Sequence, residues 1–138
     1  MALPVALVAW EPQLPEEALA VQERLEPLAR VEWIHELTPG LANELFPQTV
    51  AILVGSWPPH LTASLSLMRR LRLVVGVQDH AAGLPDEELK ARGVQVSLAA
   101  KERHATGAHD PQRHVERVRE GAERLARLLR GLTPRAPS

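Results

Sequence analysis

The chain has 138 residues, no cysteine and a formal net charge of −1, a length that fits one domain with a single hydrophobic core. Its composition, 45% hydrophobic and 24% charged, is typical of a globular protein and excludes a disordered chain, while the near-neutral charge and the lack of a long apolar run predict no nucleic-acid or membrane partner. Without cysteine there are no disulfides or thiolate metal sites, and we expect a cytoplasmic protein; the abundance of arginine over lysine and the 12 prolines give it a thermophile-like composition.

Short apolar runs alternate with helical patterns along the first hundred residues. Strands are predicted at residues 5–10, 31–35, 50–54, 73–77 and 94–98. Helices are predicted at residues 15–29, from 39 to 46 after an N-cap at Thr38, from an N-cap at Thr62 to residue 70, and at 85–92, where Gly93 is expected as a left-handed C-cap.

Five strands that alternate with helices predict right-handed crossovers and a parallel sheet covered on both faces. The expected fold is α/β: a three-layer, flavodoxin-like sheet of strand order 2-1-3-4-5 with a long C-terminal amphipathic helix. The predicted organisation is an α/β domain at residues 1–109, the helix at 110–132 and a tail at 133–138.

The C-terminal helix carries one apolar stripe with spacings of three and four between charged residues. The stripe consists of Val115, Val118, Ala122, Leu125, Leu129 and Leu132. Two interpretations stay open at this point. The stripe packs on the sheet of its own chain, or it also forms the interface of a homodimer with a second copy.

Ligands of parallel α/β sheets bind beyond the carboxyl ends of the strands, near the switch point between the first and third strands. The candidate ligand-binding residues there are Trp10, Glu11, Ser56, Trp57, Gln78, Asp79 and His80. The adjacent pair Asp79 and His80 has the most informative chemistry, because both residues follow the buried fourth strand.

The motifs of several enzyme classes are absent from these positions. The turn after the first strand contains Pro12 and Pro15 instead of Gly-x-Gly-x-x-Gly, and no phosphate-binding loop occurs, so no cofactor is predicted. Ser56 lies in no Gly-x-Ser-x-Gly elbow. The histidines at 104, 109 and 114 are five residues apart, which does not place them on one helix face, so we interpret them as solvated rather than metal-binding. No catalytic residue is assigned.

Residues 71–96, with the sequence LRLVVGVQDHAAGLPDEELKARGVQV, resemble the D-2-hydroxyacid dehydrogenase family. The resemblance implies the flavodoxin-like substrate domain of that family. The family's Gly-Val-Gly turn, which helps to hold the substrate carboxylate, is here Gln78-Asp79-His80. The family's NAD-binding domain and its catalytic arginine, glutamate and histidine lie downstream of this region, so the resemblance implies a single domain of pseudoenzyme type.

The leading hypothesis from the sequence is therefore a non-catalytic binding or interaction domain that forms a homodimer. The alternatives are a sensor of a small carboxylate ligand, or a subunit that works with a separate NAD-binding chain.

Overall fold

The computed structural model describes residues 3–79, 82–99 and 111–132, with the backbone alone at positions 111 and 132. Its five strands are β1 (Val5–Val8), β2 (Arg30–Trp33), β3 (Thr49–Val54), β4 (Leu73–Gly76) and β5 (Gln95–Ser97). They form one parallel sheet in the order β2-β1-β3-β4-β5, which confirms the predicted fold class. β3 and β4 are interior strands of this sheet. Their sequences are uninterrupted apolar runs because side chains on both of their faces are buried.

The helices are α1 (Pro15–Leu25), α2 (Pro39–Leu45), α3 (Pro59–Ser64), α4 (Asp86–Ala91) and α5 (Pro111–Leu132). Thr38 caps α2 as predicted, since its hydroxyl accepts a hydrogen bond from the Leu41 amide at 3.2 Å. Gly93 has a φ of +74°, a conformation that glycine adopts without strain at a helix end. None of these described helices combines the length and the apolarity that crossing a membrane requires.

The prediction for α3 was wrong at both ends. The helix starts at Pro59, because proline is favoured in the first helical turn, and it gives way at Leu65 to a 3-10 turn instead of running to residue 70. Thr62 is inside the helix, and its hydroxyl accepts a hydrogen bond from the Trp57 indole. The first helix is also shorter than predicted and ends at Leu25, just before Pro27, which lacks the amide needed to continue it.

Two hydrophobic layers cover the sheet. One contains α1 and α5 and packs on Ala6, Val8 and the side chains of β3 and β4 that point the same way. The other contains residues of α3 and α4 and packs on Leu7, Ile52 and Val74. The alternation of side chains along each strand thus divides one sheet between two cores. Their arrangement is the three-layer sandwich expected from the sequence.

The helix α5 approaches the sheet closely at Gly121. A Cβ atom at this position would lie 2.8 Å from Cγ1 of Val77, just after β4, so the helix can sit at this depth only with glycine there. An ion pair of 3.0 Å between Arg24 of α1 and Glu123 of α5 joins the two helices of this layer at the surface. The long helix is therefore a structural part of the sandwich.

The predicted interface residues lie in this core. Val115, Val118, Ala122, Leu125 and Leu129 are all buried within the chain itself; the side chain of Leu132 is outside the described residues. The packing corresponds to the first of the two interpretations, in which the stripe docks on its own sheet. The homodimer interface at this stripe stays a prediction.

Two glycines of α5 provide a matched test of this packing. We expect Gly121→Ala to lower the free energy of unfolding by roughly 1–3 kcal/mol, because the added methyl group overlaps a stiff, buried valine. Gly131→Ala, with no heavy atom within 4 Å of the new Cβ, should be neutral or stabilising by up to about 1 kcal/mol. Urea unfolding of both variants measures the difference. Equal effects would contradict the close approach at Gly121.

Candidate functional site

The sheet order places the topological switch point between β1 and β3. The chain leaves β1 toward α1 on one face and leaves β3 toward α3 on the other, and the loops that diverge in this way at the carboxyl edge are where ligands of parallel sheets generally bind. Residues that follow β1, β3 and β4 come together along this edge because the three strands are neighbours. The structure thus brings most of the predicted ligand-binding residues to one side of the molecule.

Trp57 has a structural role. Its side chain is buried, its indole N–H donates to the Thr62 hydroxyl at 3.0 Å, and its backbone N–H donates to the Ala82 carbonyl at 3.0 Å. The backbone bond ties the loop after β3 to the loop after β4, and the indole bond ties the same residue to α3. The neighbouring Ser56 is exposed at the same edge.

The other predicted residues differ in exposure. Glu11 and Asp79 are exposed and Gln78 is half-buried, with its carbonyl accepting a hydrogen bond from the Ala99 amide at 2.9 Å. Trp10 is half-buried and packs edge-on against Trp33, with ring centroids 6.0 Å apart. His80 lies outside the described residues, as do the histidines at 104 and 109. The predicted pairing of Asp79 with His80 therefore stays a prediction.

The polar centre of this edge is a residue that the sequence analysis did not single out, Glu17. Its carboxylate is buried, yet one oxygen accepts hydrogen bonds from the Gln13 and Leu14 amides, both at 2.9 Å. The other oxygen accepts from the Trp10 indole at 3.2 Å and contacts Nε2 of His114 at 2.8 Å. Four groups from two segments of the chain, the loop after β1 and α5, therefore converge on one carboxylate.

These contacts decide the ionisation of Glu17. Burial favours the neutral acid and acts to raise the pKa of Glu17, but the amides of Leu14 and Gln13 and the imidazole of His114 outweigh it. The pKa of Glu17 is therefore held below its ordinary value, and the side chain is a carboxylate near neutral pH. An ionised acceptor requires Nε2 of His114 to be the donor in their contact.

The same contacts change what the start of α1 can bind. The amides at the start of a helix after a strand are a common binding site for phosphate and other anions. Here Glu17 occupies two amides just ahead of α1 with its own carboxylate. An external anion would have to displace a buried internal one. We therefore exclude this helix terminus as the ligand contact and look to the groups beside it.

The group beside it is His114, which the sequence analysis interpreted as solvated. Its side chain is 34% exposed, while its partner Glu17 is 1% exposed, so a buried carboxylate orients an accessible imidazole. The pair is separated by 97 residues in sequence, and no local spacing could have indicated it. The one available signal was the position of Glu17, three residues into α1, where acidic side chains often bond to backbone amides. Within the described part of the chain, no group of three His, Asp or Glu residues is placed to hold a metal ion.

The buried carboxylate leads to a pH-dependent prediction. Glu17→Gln should lower the free energy of unfolding by roughly 1–3 kcal/mol near neutral pH, because an amide cannot satisfy all the donors that the carboxylate satisfies. A lowered folded-state pKa contributes stability above the unfolded pKa, about 4.3, and this contribution is lost as the pH falls through the folded value. The difference from the parent chain should therefore shrink in acid.

Chemical denaturation from about pH 7 down to about pH 3 measures this difference. The matched control is Glu16→Gln, one residue away and exposed, which should change stability little at any pH. A deficit of the Glu17→Gln variant that stays constant across this range would contradict the assignment.

No protein-family model and no curated protein match the sequence. Among solved structures, the fold is similar to that of an NADPH-dependent glyoxylate/hydroxypyruvate reductase from Sinorhizobium meliloti. The complex with citrate has 20% identity and a TM-score of 0.55 over 71% of this chain and 29% of that one. The complex with NADP and malonate has 19% identity and a TM-score of 0.53, over 72% of this chain and 29% of the reductase chain.

A 2-hydroxyacid dehydrogenase from Ketogulonicigenium vulgare is similar at 19% identity, with a TM-score of 0.54 over 70% of this chain and 29% of that one. The chain thus spans less than a third of the length of each of these enzymes. At such identities the likeness concerns the fold alone.

Proposed function

We propose that this chain is a binding domain that holds a small carboxylate at the carboxyl edge of its sheet, in contact with His114, and does not turn it over by itself. The observation that carries the proposal is the 2.8 Å contact between buried Glu17 and half-exposed His114. It supplies a fixed, accessible imidazole at the edge where ligands of parallel sheets bind. The resemblance in sequence and the likeness in fold support the class of ligand.

The chemistry of the imidazole suits such a ligand. Because Nε2 donates to Glu17, the remaining nitrogen Nδ1 is an acceptor in the neutral ring and a donor in the protonated ring. A 2-hydroxy acid offers both complements, a hydroxyl group that donates and a carboxylate that accepts. The negative charge of Glu17 is already satisfied by its own donors, which limits its repulsion of a ligand carboxylate.

The similar enzymes support a carboxylate of this size. The reductase from Sinorhizobium meliloti has been solved in complex with malonate and with citrate, and its name gives glyoxylate and hydroxypyruvate as substrates. Binding without turnover is proposed because Pro12, in the loop after β1, and Pro15, at the start of α1, stand where a dinucleotide fold has glycines. In the turn after β4, Gln78, Asp79 and residue 80 also stand where the family resemblance has Gly-Val-Gly.

Ligand-induced stabilisation tests the proposal. Glyoxylate, glycolate and malonate should raise the melting temperature of the parent chain in proportion to the logarithm of their concentration. His114→Gln should weaken binding at least about tenfold, because a glutamine amide can still donate to Glu17 but offers no counterpart of Nδ1. His35→Ala removes another histidine, exposed beside Glu36, and should leave binding unchanged.

Two results would contradict carboxylate binding at His114. One is a melting temperature that none of the three acids raises at millimolar concentration. The other is an equal loss of the shift in the His114→Gln and His35→Ala variants. Calorimetric titration of the parent chain separates a true binding event from a general salt effect.

A second candidate function is the substrate-binding half of a two-chain oxidoreductase. The Glu17–His114 pair favours it, since a carboxylate-oriented imidazole is a common acid–base catalyst. In this case a separate NAD-binding chain would supply the hydride. Oxidation of NADH by glyoxylate, measured with this chain alone and with candidate partner chains, distinguishes the two functions. Turnover by the chain alone would overturn the proposal of binding without catalysis.

A further inference from the structure

We infer that the amino edge of the sheet carries a second binding site, for a small phosphate anion with several negative charges, formed by Arg69, Arg70 and Arg72. The three arginines belong to the turn that leads into β4, and all three side chains are exposed. Together with Val50 at the start of β3 they line a cleft of about 400 Å³. This volume lies within the range of pockets that hold small ligands.

The turn that carries the arginines is held firmly. The Arg72 amide donates to the Val50 carbonyl at 2.8 Å, and the Arg72 carbonyl accepts from the Gln95 amide at 2.9 Å, so Arg72 continues the sheet on both sides. Leu71 and Met68 are buried beneath the turn. The guanidinium groups therefore extend from a backbone that needs no reorganisation to receive a ligand, which lowers the entropic cost of binding.

The described part of the chain does not compensate the charges of these arginines. Four other arginines form ion pairs with glutamates: Arg24, Arg30, Arg92 and Arg124. By contrast, no carboxylate of the described residues lies within ion-pair distance of the three arginines, and the cleft is lined by no acidic side chain. Three positive charges within four residues thus face solvent in a chain whose net charge is −1. A bound anion would relieve their mutual repulsion.

The chemistry of the cleft favours a multiply charged phosphate. Each exposed arginine–anion contact is weak in water, so an anion that reaches one guanidinium would bind poorly. A diphosphate or triphosphate group can contact several guanidinium groups at once, and the planar fork of arginine matches phosphate oxygens in pairs. Val50 adds an apolar wall that a nucleic-acid backbone does not require. These features favour a compact phosphate ligand over a polymer.

The site is separate from the carboxyl edge. Val50 is at the beginning of β3, and the six residues of that strand extend about 20 Å to the edge where His114 lies. The two proposals therefore fail or hold independently. A variant of one site leaves the other intact.

Inorganic triphosphate is the probe for the test. Its titration into the isotopically labelled chain at low ionic strength should shift the amide resonances of residues 50 and 69–72 with saturation, and added salt should weaken the binding. The double variant Arg70→Gln/Arg72→Gln should bind at least about tenfold more weakly. The matched control, Arg127→Gln/Arg130→Gln, removes two exposed arginines of α5 and should bind within about twofold of the parent chain. His114→Gln should have no effect.

Three results would overturn the site. The first is the absence of saturable shifts, and the second is an equal loss of affinity in both double variants, which marks non-specific charge attraction. The third is a single-stranded oligonucleotide that binds far more tightly per molecule than triphosphate, which would assign the surface to a polymer. Thermal unfolding of each variant verifies that the exposed substitutions leave the fold intact.

Discussion

A carboxylate removed from water must be matched by donors, and Glu17 obtains four of them from two parts of the chain. The requirement fixes the loop after β1, the indole of Trp10 and the first turns of α5 in one arrangement. The contact that stabilises the layer also orients His114. Stability and the proposed binding function therefore depend on the same interaction.

The other polar contacts of α5 act in the same direction. Arg24 bonds to Glu123 at the surface, and the guanidinium of Arg124 donates to the Gly76 carbonyl at the end of β4. Gly121, which lies along α5 between His114 and these two residues, packs against Val77. Together these contacts fix both the depth of the helix on the sheet and its rotation about its own axis. This explains why a stripe with heptad-like spacing does not need a second copy: its apolar residues already have partners in the sheet.

Most of the fold could be predicted from the sequence, because burial on both faces leaves an unmistakable apolar run at β3 and β4 and because Thr38 and Gly93 are local signals. The boundaries of α3 could not, since two adjacent prolines started the helix earlier than the threonine cap suggested. At the candidate site the sequence located the edge but not its centre. Trp10 and Trp57 lie at the predicted edge, but the partners of their indoles depend on tertiary packing, and their part in ligand binding stays a prediction. The Glu17–His114 contact, across 97 residues, leaves no periodic trace at all.

The two edges of the sheet differ in the sign of the charge that their helix termini favour. The helices that follow the strands begin at the carboxyl edge, and Glu17 partly neutralises the positive end of α1 there. The proposed ligand contact at this edge is therefore a side chain, His114. At the amino edge the helices end, and basic residues there are favoured by the negative helix terminus. That effect fades within one turn, and α3 with the 3-10 turn that follows it is short and ends at Leu67, two positions before Arg69. A helical segment this short can favour a basic residue beside its end, but it does not account for three arginines within four positions, which is the observation behind the proposed phosphate site.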